Sequence, residues 1–170
     1  MRDAVLGAWK IWRLWPHVEL NFMAVDVTIA SGPDKRERRV IEYLGGEGFG
    51  AAKSTMPLTP AVRAGDFVFI SGQVPTNDKG EIVWGNVETQ TRVVMDKLKV
   101  ALGYAGCDLS DVVKTTVYLS DARDFVAFNG VYSSYFEPGK RPARTTVQSA
   151  LMIDIRVEID VVAYKPQGKR

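Results

Sequence analysis

The sequence predicts one α+β domain in which helices cover a single face of a β-sheet. Its segments run in the order strand pair, helix, strand, helix, strand pair, which suits an α+β layer. Apolar residues recur with period two in some segments and with helical spacing in others. The chain has 170 residues, 46% hydrophobic and 25% charged, enough to bury one adequate core.

Residues 1–22 differ from the rest, because Trp9, Trp12 and Trp15 alternate with Lys10 and Arg13 before Pro16. They read either as a short interfacial helix or as an extension outside the fold. The ordinary-looking start MAVDVTI at Met23 favours the extension. Residues 23–56 read as an N-terminal arm, with a charge run from Lys35 to Arg39 and the stretch GGEGFGAAKS. That stretch lacks Lys-Ser/Thr in P-loop spacing and the flanking strand and helix of a phosphate cradle. Tyr43, Phe49 and Met56 read as packing for the arm. The domain proper is expected over 57–166, with a tail at 167–170.

AGDFVFISGQVP reads as a turn and a strand through Phe67, Phe69 and Ile70 that ends at Gly72 and Pro75. TNDKGEIVW reads as a hairpin, with Asn77, Asp78 and Gly80 supplying turn chemistry. Asn86 is the expected N-cap of a helix from Val87 to Tyr104. Val94, Leu98, Ala101 and Ala105 share one face of that helix, with Thr91 one turn earlier. Gly106 ends it, and DVVKTTVYLS follows as a strand rich in β-branched residues. Asp121 caps a second helix reaching about Phe136, its buried side on or near Phe125, Phe128, Val131, Tyr132 and Tyr135. ARTTVQSA and IRVEIDVVAY close the chain as strands.

Composition narrows the chemistry. A net charge of +2 with interspersed signs gives no concentrated basic face for nucleic acid. The single cysteine, Cys107, excludes an internal disulfide framework and a cysteine-cluster metal site, and fits a reducing, cytoplasmic setting. Cys107 itself reads as packing. The one histidine, His17, falls in the extension, which argues against histidine triads and histidine-rich metal sites and leaves acid-base work to carboxylates. No stretch approaches the ~20 apolar residues that span a bilayer, so no membrane partner is expected. No signal peptide is expected either, because Lys10 and Arg13 interrupt the opening apolar run.

In the last strand Ile155, Val157, Ile159 and Val161 share one face, and Arg156, Glu158 and Asp160 the other. In the strand before it Arg144, Thr146 and Gln148 lie opposite Ala143, Thr145 and Val147. If both polar faces border one cleft, an arginine fork that clamps a carboxylate meets a carboxylate able to handle a water proton. The alternative is a surface Arg-Glu ladder on adjacent strands, worth a fraction of a kcal/mol.

Five ordered segments carry a resemblance over roughly Pro57 to Tyr164. AGDFVFISGQVP, DVVKTTVYLSD, FNGVYSSYF, RPARTTVQSA and VEIDVVAY resemble the RidA/YjgF family of enamine/imine deaminases. The resemblance implies a chorismate-mutase-like mixed sheet with two helices on one face, assembled as a homotrimer with active-site clefts between subunits. It implies a metabolite-damage enzyme, needing neither metal nor cofactor, that hydrolyses small anionic enamines and imines to 2-oxo acids and ammonia.

Residue by residue, Arg144 is similar to the arginine that holds the substrate carboxylate, and Glu158 to the carboxylate that orients and deprotonates water. Ser71 and Gly72 resemble the pair lining the pocket, Asn129 matches the nearby helix asparagine, and Thr146 stands where cysteine is common. Ser71 also fits a strand-end role and Asn129 a cap or backbone bridge. Leu58 departs from the family's Gly-Pro-Tyr segment, which predicts a more apolar cleft for larger imines, or a member that binds small carboxylates without turnover. Ribonuclease activity, attached to some members, sits poorly with the balanced charge.

Overall fold

The computed structural model describes residues 41–45 and 56–168. The extension 1–22, the charge run, Phe49 and all of the glycine-rich stretch except Gly45 lie outside the described residues. The strands are β1 (Ile41–Leu44), β2 (Ala61–Ala64), β3 (Phe67–Gln73), β4 (Val112–Leu119), β5 (Ala143–Gln148) and β6 (Val157–Tyr164); the helices are α1 (Val87–Tyr104) and α2 (Phe125–Ser133). They build a six-stranded sheet in the order β1-β2-β3-β6-β4-β5. All neighbours are antiparallel except β4 and β5, which are parallel.

That one parallel pair requires a crossover, and α2 supplies it. β6 is inserted between β3 and β4, so α1 bridges a split βαβ unit. The helix-facing side chains form the core: Val157, Ile159, Val161 and Ala163 of β6, Val117 and Leu119 of β4, and Val68 and Ile70 of β3. They pack against Val94, Met95, Leu98 and Ala101 of α1 and Phe128 and Tyr132 of α2, as the helical spacing predicted.

Both ends of α1 follow the sequence signals. The Asn86 side chain accepts the Thr89 amide at 2.9 Å. At the other end Gly106 takes φ +64°, and Cys107 N–H donates to the Leu102 carbonyl at 3.0 Å, a Schellman closure. Cys107 is buried in the core, as expected.

Four details differ from the sequence reading. The hairpin at TNDKGEIVW is a turn held by Asn77, whose Oδ1 accepts from Lys79 and Glu81, with a single bridge between Thr76 and Ile82. Asp121 caps a short 3-10 turn at Ala122–Asp124, and α2 follows at Phe125. The helix ends at Ser133, before Phe136, as the amides of Ser134, Tyr135 and Phe136 turn to the carbonyls three residues back. Last, β1 and β2 escape the pattern: they are four residues each, and the inward side chain at the middle of β2 is Arg63.

Arg63 is 5% exposed and donates to the Ala105 carbonyl at 2.6 Å and the Lys165 carbonyl at 3.2 Å, with Glu42 at 3.9 Å. It ties the end of α1 to the end of β6.

On the face away from the helices, the part formed by β1, β2 and β3 is apolar. Register aligns Tyr43, Val62, Phe69 and Val162 across it, beside Phe67 and Tyr164. Tyr43 is 71% exposed and Phe69 47%. No described helix covers this face, and a half-solvated antiparallel sheet ordinarily turns polar side chains to water.

Candidate active site in two halves

The first half lies where β5 meets α2. Register pairs Arg144 with Thr115, a fully buried residue whose hydroxyl sits 3.1 Å from the Tyr132 hydroxyl, so Arg144 projects on the helix side. Its guanidinium carbon lies 4.8 Å from the Tyr132 ring centre, 5.5 Å from Phe128 and 5.8 Å from Phe125. Three rings give the planar cation a shelf that steers it without neutralising it. Among the described residues no carboxylate pairs with Arg144.

A hollow of about 570 Å³ opens there, lined by Asn129, Tyr132, Arg141 and Arg144 among others. Burial pushes the Tyr132 phenol up, against the Thr115 hydrogen bond and the nearby charges of Arg144 and Arg141. Thr146 shares this face, being paired with Val117, and its Oγ1 is buried without a hydrogen-bond partner among the described residues. An orphaned hydroxyl beside an unpaired arginine leaves this half short of an acceptor.

The second half lies on the open face. Glu158 pairs with Tyr118, and both line a hollow of about 350 Å³ with Gly72, Asp160 and Met152. The irregularity of β3 between Ile70 and Gln73 brings Gly72 against the Glu158 carboxyl. A Cβ at Gly72 would fall 2.0 Å from Glu158 Oε1, so only glycine leaves room for this rotamer. Burial, and then the charge of Asp160, push the Glu158 carboxyl above the ordinary carboxylate range.

Within one chain the two halves do not meet. β4 separates β5 from β6, and Thr115 and Tyr118, the β4 residues beside Arg144 and Glu158, point to opposite faces. The expectation that both polar faces border one cleft is therefore corrected for the single chain, and so is the alternative of an Arg-Glu ladder on adjacent strands. Glu158 and Asp160 do share a face, and so do Arg144 and Thr146, as the alternation predicted.

The remaining candidates are placed as follows. Ser71 donates its hydroxyl to the Thr59 carbonyl at 2.7 Å and its amide to Pro60 at 3.0 Å, which is the strand-end role. Leu58 is 50% exposed and lines neither hollow. Asn129 opens onto the Arg144 hollow.

Sequence reasoning missed Arg141 and Tyr118. The doubled arginine in RPAR was a legible signal for the first. A larger hollow of about 770 Å³, lined by Trp84, Gln90, Asp121 and Arg156 among others, contains none of the candidates. No described helix is long and apolar enough to cross a membrane.

Comparison with known proteins agrees with this architecture. The profile of the family described as Endoribonuclease L-PSP matches residues 50–165. A RutC family protein of Pyrococcus horikoshii is 47% identical over 117 residues, covering 68% of this chain and 92% of that one. The 2-iminobutanoate/2-iminopropanoate deaminase of Escherichia coli is 35% identical over 112 residues, covering 64% and 88%. The crystal structure of E. coli TdcF with bound serine superposes with a TM-score of 0.64 at 31% identity, covering 73% of this chain and 98% of that one. With the profile spanning most of the chain and the mixed sheet carrying two helices on one face, the chain belongs to the Endoribonuclease L-PSP family, the RidA/YjgF family that its motifs resemble.

Proposed function

We propose that the protein hydrolyses small anionic enamines and imines to 2-oxo acids and ammonia, in clefts where Arg144 of one copy faces Glu158 of a neighbouring copy in a homotrimer. The observation that carries the reading is the division of the site. An arginine with no acid partner among the described residues and a carboxyl pushed toward its neutral form lie on opposite faces of one sheet, each beside an open hollow. A cyclic assembly in which one face of a copy meets a different face of the next joins such halves. The exposed apolar face of Tyr43, Phe67 and Phe69 supports association. The deaminase named among the relatives supports the chemistry.

The reaction follows from where charge develops. Arg144 holds the substrate carboxylate with two parallel hydrogen bonds. The enamine tautomerises to the imine, and water adds to the C=N carbon while Glu158 takes its proton. That proton passes to the nitrogen and leaves a carbinolamine; the new hydroxyl then gives its proton to the nitrogen by way of Glu158, the C–N bond breaks as the C=O forms, and ammonia leaves a 2-oxo acid. The substrate is intrinsically unstable in water, so orientation and a fixed charge supply most of the acceleration. Gly72, Asn129 and Thr146 would border the substrate, while Ser71, bonded to Thr59, and Leu58, outside both hollows, would reach it only where the meeting of two copies brings them to the cleft.

The test generates an imine with an amino-acid dehydratase or oxidase and traps it with semicarbazide. Added protein should lower the trapped fraction and raise the 2-oxo acid. Unchanged trapping with the protein in excess would overturn the catalytic reading, and tight 2-oxo acid binding by that silent protein would identify a carboxylate-binding member instead.

A further inference from the structure

Glu158 does not stand alone in its hollow. Asp160 lies two residues further along β6, so their side chains leave the same face of the strand, about 7 Å apart along the backbone. Across the strand boundary, Tyr118 sits beside Glu158, and its neighbour Thr116 sits beside Asp160. All three titratable side chains line the same hollow with Gly72.

The cluster is asymmetric. The Tyr118 phenol is pushed up, first by the charge of Asp160, then by burial, by a hydrogen bond to Asp160 and by the charge of Glu158. The phenol's one hydrogen is thus directed to Asp160. The Glu158 carboxyl receives no such donor among the described residues and lies against the bare backbone of Gly72.

Among the described residues, nothing cationic offsets the two acids from the surrounding elements. Lys114, further along β4, is turned to the Thr145 hydroxyl at 2.6 Å. Arg156, on the other side of Glu158, is paired with Asp124 at 3.0 Å. The loop residues over the hollow, Ser149 to Met152, carry no charge, and neither does Gly72 of β3.

We propose that Asp160 is a positioning residue for Glu158: held by the Tyr118 hydroxyl, its fixed negative charge keeps the Glu158 carboxyl available to take and return a proton. The inference rests on the proposed role of Glu158 and adds a residue to it. An isolated carboxylate on this face would ionise early and hold its charge through the working range, a poor proton acceptor for water. A like charge on the same face moves Glu158 toward the pH at which transfer in both directions is easy.

Asp160→Asn keeps an acceptor for Tyr118 and removes only the charge. In full-length protein carrying ¹³C-carboxyl glutamate, the Glu158 resonance is assigned by its absence in Glu158→Gln, and its titration is followed by NMR. The midpoint in Asp160→Asn should shift to lower pH than in the wild type, and Asp160→Ser should shift the same way should the amide disturb folding. The acid limb of the kcat/KM profile should shift to lower pH with it, and the plateau should fall, because the weaker base takes the water proton less readily. A merely structural residue would lower the plateau at every pH and leave the limb in place. An unmoved midpoint overturns the inference, and so does a moved midpoint with an unmoved limb. The titration needs no turnover, so failure of the deaminase reading shows separately, as unchanged semicarbazide trapping by the wild type.

Discussion

Arg144 owes its usefulness to what surrounds it. Rings hold it and no described acid neutralises it, so a substrate carboxylate meets a cation already in place. Arg144→Ala should lower kcat/KM about 100-fold or more with little change in Tm, since a charge-assisted pair is worth about 1.5–3 kcal/mol before orientation is counted. Arg144→Lys should recover little, because an ammonium neither forks nor lies flat on three rings.

Glu158 makes a prediction for stability with a definite sign. Its pKa is raised in the fold, so its contribution is fully present below the unfolded value and is lost as pH rises through the folded one. Glu158→Gln cannot ionise, so its Tm relative to wild type should improve between pH 4 and pH 8. A relative Tm for Glu158→Gln that falls toward alkaline pH would contradict the raised value. Gly72→Ala forces the Glu158 carboxyl from its place and should cost about tenfold or more in kcat, with KM affected less, since the fault lies with water and not with carboxylate binding. The faces of Arg144 and Glu158 were legible in their strands, because alternation assigns faces within a strand, whereas Gly72 was singled out by the family resemblance alone. Whether two strands present the same face to one hollow is a matter of register between them, which period-two spacing does not encode.

Among the elements, α1 was the most legible, because an Asn cap, a long apolar face and Gly106 all agree. α2 was legible on its buried side but not at its end, where tertiary packing of Phe136 continues past the last helical turn. β2 was hidden by Arg63, a charge at an inward position that only its distant backbone partners explain. Those partners lie 42 and 102 residues away in the chain. Arg63→Ala strands two carbonyls and opens a gap beneath α1, which should cost about 2–4 kcal/mol and lower Tm by several degrees in a thermal melt. An unchanged melt would mean that water replaces the guanidinium at no cost. The parallel pairing of β4 with β5 was the least legible feature of all. It follows from α2 acting as a crossover, and it places β5 at the sheet edge, away from β6.

For the molecule as a whole, the sheet has one face spent on its own helices and one open face that is apolar over β1 to β3 and acidic around Glu158. Aromatic side chains on that face are expected to be buried by other copies, giving a particle three times the 18.8 kDa of the chain. Phe69→Asp should dissociate it in sedimentation equilibrium and remove activity while the circular dichroism spectrum persists. Activity in a dispersed monomer would show that one chain suffices.

The most direct measurement is complementation between Arg144→Ala and Glu158→Gln, unfolded together and refolded as a mixture. Each alone should be inactive. In mixed cyclic assemblies a cleft that draws Arg144 from one copy and Glu158 from the next is intact about a quarter of the time, so roughly that share of wild-type activity should return. A mixture as inactive as its parents would contradict a site shared between chains.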